Sequence, residues 1–142
     1  GVEVAVITAR TSEAVSHRMA GLGIKHVYQG QQNKHAAFQN LLVTLNLDAS
    51  QVAYVGDDVI DLPVMLHVGL AIAVQDAHAL VKHHCHWQTT GMGGRGAVRE
   101  VCELIMEAQH TLDQQLRAYL APGRMPKCGE RRDAQEPPPE PV

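Results

Sequence analysis

Strand-like and helix-like stretches alternate along most of this chain, and the alternation restricts the folds that it can adopt. Five short runs have the length and the branched or aromatic content of strands, and a helical pattern separates each of them from the next. The strand-like runs cover residues 2–8, 26–28, 52–55, 70–74 and 87–89, and the helical patterns cover residues 13–22, 34–45, 59–67 and 77–82. Strands that alternate with helices build βαβ units. The sequence therefore predicts an α/β fold in which helices flank a mainly parallel sheet.

The last third of the chain divides into two parts of different character. Residues 97–120 carry apolar side chains on a rough helical stripe, which predicts one long helix packed against the rest. Pro122 and Gly123 end that pattern, and the residues after them are charged, rich in proline and poor in apolar side chains. Such a segment cannot offset its ordering entropy by burial. We expect one domain over residues 1–121 and a disordered tail over residues 122–142.

Composition narrows the function classes. The formal net charge is -3 and no basic block is present, which argues against a nucleic-acid partner. No apolar stretch approaches the roughly twenty residues that a membrane-spanning helix needs. The cysteines, Cys85, Cys102 and Cys128, are too scattered for a disulfide framework or a zinc knuckle. These features favour a cytoplasmic protein.

Three aspartates stand at the end of the strand-like run 52–55. Gly56 permits a sharp turn there, and Asp57 follows at the carboxyl end of the strand, where open α/β sheets bind their ligands. If Asp58 begins a helix, Asp58 and Asp61 share one face of it. Carboxylates this close favour a bound cation, and Mg²⁺ commonly uses one or two carboxylates, waters and a substrate phosphate. The alternative is that Asp57 or Asp58 only caps a helix and the others are solvated.

Other polar side chains are expected at the same edge of the sheet. Thr8 ends the first strand, and its hydroxyl suits a phosphate oxygen. Lys34 follows Asn33, a good helix cap, and its ammonium can neutralise a phosphate or an aspartate. Arg10 and Arg18 lie just past Thr8 and can grip a carboxylate. Singly, each has an ordinary structural explanation, but together they form the inventory for phosphoryl transfer with Mg²⁺.

These residues resemble three motifs of the haloacid dehalogenase superfamily of phosphatases. Thr8, Lys34 and Gly56-Asp57-Asp58-x-x-Asp61 look like its second, third and fourth motifs, in that order. The closer resemblance is to the capless branch that hydrolyses 3-deoxy-D-manno-octulosonate 8-phosphate in lipopolysaccharide synthesis. It covers roughly residues 1–117, and it rests on residues 6–10, 28–34, 52–61 and 93–100. Ala9 departs from the glycine that is usual in the family.

The resemblance implies a Rossmann-like haloacid dehalogenase core and a role for each matching residue. Asp57 would bind Mg²⁺, and Asp61 would hold metal waters or orient the loop. Asp58 would pair with Lys34 or with the helix terminus. Thr8 would hydrogen-bond the phosphoryl oxygens, and Lys34 would balance the charge of the phosphorylated stages.

The resemblance also implies contacts for the substrate and for neighbouring subunits. Arg10 and Arg18 would contact the sugar acid, and capless members close their sites by forming homotetramers. The glycine-rich turn Gly93-Gly94-Arg95-Gly96 would be a lid or an intersubunit contact, although a flexible hairpin before a helix is an equal alternative. The tract His83-His84-Cys85-His86 is a weak metal candidate because adjacent side chains point in different directions.

The superfamily's first motif, Asp-x-Asp, is absent from the 142 residues. In the family its first aspartate attacks phosphorus, and its strand lies between those ending at Thr8 and at Val55. We therefore expect an N-terminally truncated phosphatase, inactive by itself, that lacks the central strand of its sheet. The alternatives are the phosphatase-like domain of an acylneuraminate cytidylyltransferase and a non-catalytic phosphatase-like module that binds a ligand or partner.

Overall fold

The computed structural model describes residues 1–120, and the tail expected at 122–142 lies outside the described residues. Five strands alternate with helices in the described part, and two 3₁₀ turns, Ala49–Gln51 and Val59–Asp61, lie on either side of the third strand. The strands are β1 Ala5–Ile7, β2 His26–Tyr28, β3 Ala53–Gly56, β4 Leu70–Ala73 and β5 Trp87–Gln88. The helices are α1 Glu13–Gly21, α2 Lys34–Leu45, α3 Leu62–Met65, α4 Ala79–His83, α5 Ala97–Ala108 and α6 Leu112–Leu120.

All the strand pairs are parallel, and they form two sheets. Strand β1 pairs with β2, and Ala5 lies opposite His26. Strand β4 lies between β3 and β5, and Ala53 lies opposite Leu70. The prediction of a parallel α/β fold is confirmed.

The hydrophobic core lies between the second sheet and the helices. Strand β4 is its centre, because Ala71, Ile72 and Ala73 are fully buried. Phe38 of α2 and Met65 of α3 are each 1% exposed and belong to the same buried set. Burial of this kind is the main stabilising term for a domain of this size.

Strands β1 and β3 each keep one edge without a strand partner. In a parallel ladder, alternate residues bond to one neighbour. The Thr8 amide bonds to Tyr28 O at 2.8 Å, so the peptide groups of Ala5 and Ile7 face away from β2. The Leu70 amide bonds to Val52 O at 3.2 Å, so those of Ala53 and Val55 face away from β4. No ladder joins β1 to β3 within residues 1–120.

The prediction of one helix over residues 97–120 is wrong. The structure has α5 and α6 instead, and His110 between them adopts a left-handed φ of 56°. The His110 amide bonds to Glu107 O at 2.9 Å and the Thr111 amide to Met106 O at 2.8 Å. These two bonds form the Schellman motif, which ends a helix. Here His110 occupies the left-handed position of the motif, where glycine is usual.

Backbone contacts divide the chain into two compact units, Gly1–Val101 and a second that begins at Cys102. The first contains both sheets and helices α1 to α4. The second contains most of α5 and all of α6. No helix of the described part is long and apolar enough to cross a membrane.

Candidate active site

The turn after β3 places a buried aspartate beneath the end of the strand. A Cβ atom added to Gly56 would lie 2.6 Å from Met65 Sδ and 2.8 Å from Asp61 Cβ. Glycine at this position therefore lets the Asp61 side chain fold back under β3. Asp61 is only 1% exposed, although it belongs to a turn.

The Asp61 carboxylate accepts hydrogen bonds on both oxygens. Lys34 Nζ lies 2.6 Å and Tyr54 Oη 2.8 Å from Oδ1. The amides of Asp57 and Asp58 lie 3.0 and 3.1 Å from Oδ2. Four donors use the four lone-pair positions of a carboxylate, which leaves Asp61 in the role of organising the turn.

Asp61 is held in its ionised form by these donors. Burial acts to raise its pKa, but hydrogen bonds from Lys34, the Asp58 amide, Tyr54 and the Asp57 amide outweigh burial, and the pKa is lowered. Burial, with the adjacent Asp61 charge, raises the pKa of the Tyr54 phenol far above its ordinary value, so Tyr54 remains a donor.

The pKa of Asp57 is shifted in the opposite direction to that of Asp61. Partial burial and the charge of Asp61 raise its pKa, and the Lys34 ammonium offsets them only in part. Asp57 is exposed, and its backbone carbonyl accepts the His78 amide at 2.8 Å. An exposed carboxylate that is costly to ionise beside a buried one is suited to binding a cation.

Asp58 caps the turn that follows it. Its Oδ1 accepts the Val59 amide at 2.7 Å, and its own amide bonds to Asp61. Of the two pairings that the resemblance implied for Asp58, the structure thus has the one with the helix terminus. The ammonium of Lys34 pairs with Asp61 instead.

Lys34 reaches the turn from the start of α2. Asn33 caps this helix, because its Oδ1 accepts the Ala36 amide at 3.2 Å. The cap fixes the first helical turn, from which the Lys34 side chain extends to Asp61. That side chain is 10% exposed, so one ion pair joins the β2–α2 loop to the end of β3.

Thr8 lies at the carboxyl end of β1. Its Oγ1 accepts the Arg10 amide at 3.2 Å, and its carbonyl accepts the Gln31 amide at 2.9 Å. Within residues 1–120, Thr8 makes no hydrogen bond to the aspartates. Arg10 and Arg18 are exposed, the first in the loop after β1 and the second on α1.

Acidic side chains hold the loop that contains the glycine-rich turn, at residues 90–91 and at Gly93. Glu100 accepts the amides of Thr90 and Gly91, each at 3.0 Å. Asp76 accepts the Gly93 amide at 2.6 Å. The backbone bonds from the Thr90 and Gly91 amides lower the pKa of Glu100. Arg95 is exposed within this held loop.

The sequence reasoning missed Tyr54. The strand pattern around it indicates burial but carries no signal for a hydrogen bond to a residue seven positions later. Nor do residues 1–120 contain three His, Cys, Asp or Glu side chains arranged to enclose a metal ion. The described part therefore offers a metal ion the Asp57 carboxylate and an organised turn, but not a full set of protein ligands.

Comparison with known proteins places this arrangement in a family. Residues 7–98 match the haloacid dehalogenase-like hydrolase family. The chain is 52% identical over 112 residues to the 3-deoxy-D-manno-octulosonate 8-phosphate phosphatase of Yersinia pestis, which covers 79% of this chain and 60% of that protein. The chain thus spans about 60% of the length of the curated relatives it matches.

Solved structures agree in fold. A probable phosphatase from Pseudomonas syringae superposes with a TM-score of 0.84 at 44% identity, over 87% of this chain and 70% of that one. The 3-deoxy-D-manno-octulosonate 8-phosphate phosphatase of Moraxella catarrhalis, solved with magnesium, phosphate and the sugar acid, gives 0.82 at 39% identity, over 84% and 68%. This chain belongs to the haloacid dehalogenase-like hydrolase family.

Proposed function

We propose that this chain supplies the metal-binding and charge-balancing part of an active site that hydrolyses 3-deoxy-D-manno-octulosonate 8-phosphate. The products are the free sugar acid and phosphate, and the pathway is lipopolysaccharide biosynthesis. The observation that carries the proposal is the ion pair between Lys34 and the buried Asp61, 2.6 Å long, beside the exposed Asp57 carboxylate. The similarity to phosphatases named for this substrate supports it.

The expected cofactor is Mg²⁺, and Asp57 is the residue that would hold it. Partial burial and the negative charge of Asp61 raise the pKa of Asp57, and a hard cation would offset both effects. Asp61 would act indirectly, since its oxygens already accept four hydrogen bonds. When bound, Mg²⁺ would neutralise phosphate charge and polarise a P–O bond.

The remaining residues take roles on the substrate. The Thr8 hydroxyl would donate to a phosphoryl oxygen at the end of β1. The Lys34 ammonium has three N–H groups, and among residues 1–120 it donates one of them to Asp61. The other two would donate to the phosphoryl group. Arg10 and Arg18 would bind the carboxylate of the sugar acid, which needs bidentate donors at the site mouth.

The nucleophile would come from an added strand. No Asp-x-Asp occurs in residues 1–142, and β1 and β3 each keep an unpaired edge. A strand placed between them would bring a carboxylate to the same sheet edge as Thr8 and Asp57. We therefore expect residues 1–142 alone to have no turnover.

Phosphate release from 3-deoxy-D-manno-octulosonate 8-phosphate with Mg²⁺ tests the proposal. We expect no release by the chain alone, and release when an Asp-x-Asp segment from the Yersinia pestis relative is fused to its N-terminus. In that fusion Lys34→Met should abolish release, whereas Lys25→Met, at an exposed lysine, should not. Mg²⁺-dependent release by the unfused chain would overturn the assignment of the nucleophile.

Two other functions remain to be separated from this one. Faster release from a nine-carbon sugar-acid phosphate would favour the phosphatase-like domain of an acylneuraminate cytidylyltransferase. A fusion that binds substrate without turnover would support a non-catalytic module. The resemblance to the capless branch also leads us to propose a cytoplasmic homotetramer, which light scattering of the fusion would test.

A further inference from the structure

Lys34 and Tyr54 donate to the same oxygen of Asp61. The distances to Oδ1 are 2.6 Å from Lys34 Nζ and 2.8 Å from Tyr54 Oη. Asp61 is 1% exposed, so no solvent is available to replace a donor that leaves. Loss of a partner from a buried charge is strongly destabilising.

This arrangement matters because Lys34 has a second task in the proposed function. An ammonium that donates to a phosphoryl group as well as to Asp61 shares its positive charge between two acceptors, and this weakens its bond to Asp61. The phenol of Tyr54 is held in place, because Tyr54 lies on β3 and its partly buried side chain packs against the core. Tyr54 therefore continues to satisfy Oδ1 whatever Lys34 does.

The other oxygen of Asp61 links this contact to the metal side of the site. Oδ2 accepts the Asp57 and Asp58 amides, and these bonds fix the backbone that carries the Asp57 carboxylate. A carboxylate that rotated after losing a donor on Oδ1 would release these amides as well. The position of Asp57 thus depends on what holds Asp61.

We propose that Tyr54 is a positioning residue that holds Asp61, and through it the Asp57 backbone, while Lys34 lends its ammonium to the phosphoryl group. This role rests on the proposed function, but the hold on Asp61 is a property of the folded chain. It can therefore be measured without substrate or turnover.

Amide hydrogen exchange of the intact chain tests the proposal, with Lys34→Met as a mimic of the departed ammonium. In Lys34→Met, the Asp57 and Asp58 amides should keep their protection to within about threefold, since Tyr54 remains. In the double variant Lys34→Met with Tyr54→Phe, the same amides should exchange at least about tenfold faster. The amide of Ile72, buried in β4, should change by much less.

Tyr28→Phe is the matched control, since it removes a phenol that donates to Asn40 at 3.0 Å, far along the chain from the aspartates. It should leave the Asp57 and Asp58 amides unchanged, alone and with Lys34→Met. The proposal fails if Lys34→Met alone exposes these amides as much as the double variant does. It also fails if Tyr54→Phe accelerates Ile72 and the turn amides equally, which would mark a merely structural role.

A thermodynamic cycle covers the case in which the double variant does not fold. The fall in urea midpoint for Tyr54→Phe should be larger in the Lys34→Met background than in the wild type, and an unfolded double variant is the extreme of that result. Additive shifts would overturn the proposal. Failure of the hydrolysis assay would refute the proposed function and leave both measurements standing.

Discussion

Asp57 and Asp61 are four residues apart, yet the turn gives their carboxylates opposite properties. Asp61 is buried and surrounded by donors, so its pKa is lowered. Asp57 is exposed as a residue, but partial burial of its carboxyl group and the neighbouring charge of Asp61 raise its pKa. A pair of carboxyl groups whose environments separate their pKa values is a common mark of a functional site. Asp61 organises the turn, and Asp57 is the residue that we propose binds the metal ion.

The raised pKa of Asp57 predicts that this residue costs stability. A carboxyl whose pKa is higher in the folded chain binds its proton more tightly there, so stability is lost as pH rises through its titration. Asp57→Asn should stabilise the chain at pH 7 by a few tenths of a kcal/mol, since solvent screens the exposed group. The gain should vanish near pH 3, and Mg²⁺ binding measured by calorimetry should be lost. Equal stability changes at both pH values would contradict the electrostatic explanation.

The opposite sign applies to Asp61. Its lowered pKa contributes stability above the ordinary pKa of aspartate, and this contribution is lost as pH falls through the folded value. Asp61→Asn also places an amide donor against one of four existing donors. We expect a loss of about 2–4 kcal/mol at pH 7.

Asp58→Asn is the matched control for that change. Asp58 is exposed and caps the turn through the Val59 amide, a role that asparagine also fills, so the loss should be below about 0.5 kcal/mol. Urea denaturation of the three proteins gives the comparison. Similar losses for the two variants would show that burial of Asp61 is not what makes it important.

At the scale of elements, local signals in the sequence account for some boundaries and not others. The predicted bounds of β2 and α2 are confirmed to the residue. For α2 the reason is local, because Asn33 caps the helix and Asn46 ends it in a left-handed conformation. Both are residues with a known preference for such positions. Histidine at His110 is a weaker signal for a left-handed position than glycine or asparagine, and the helical stripe continues past it, so the break between α5 and α6 was not predicted.

The site shows the same division. Strand ends and a helix cap predicted that Lys34 and the aspartates would share one edge of the sheet, and the ion pair to Asp61 shows that Lys34 reaches that edge. Which side chains bond to one another within the site depends on tertiary packing, which the periodicity of the sequence does not encode. The hydrogen bond from Tyr54 to Asp61 depends on such packing and was therefore not predicted.

The break at His110 predicts a stabilising substitution. His110 has a φ of 56°, where a side chain with a Cβ is strained and glycine is not. His110→Gly should raise the stability of the second unit by about 0.5–1 kcal/mol, measured by helical circular dichroism on heating. Asn46→Gly, at a φ of 51°, is the control and should gain less, because asparagine tolerates this region. A loss of helix in His110→Gly would contradict the assignment of the cap.

At the scale of the whole molecule, the two separate sheets determine how the chain should behave in solution. Within residues 1–120, the peptide groups of Ala5 and Ile7 face away from β2, and those of Ala53 and Val55 face away from β4. Unpaired edges of this kind promote edge-to-edge association. Thr8 and the aspartates follow these same strands, so the unpaired edges lie next to the candidate site.

One added strand should therefore change both solubility and metal binding. When the chain is co-expressed with an Asp-x-Asp strand segment from a relative, we expect a monodisperse complex on size exclusion and tighter Mg²⁺ binding than by the chain alone. A segment with proline at the middle of the strand is the control, since proline removes a ladder hydrogen bond and is excluded from central strands. That segment should not co-purify. Equal recovery of both segments would show that association does not use the edges of β1 and β3. A soluble, monodisperse chain without any segment would show that these edges do not drive aggregation.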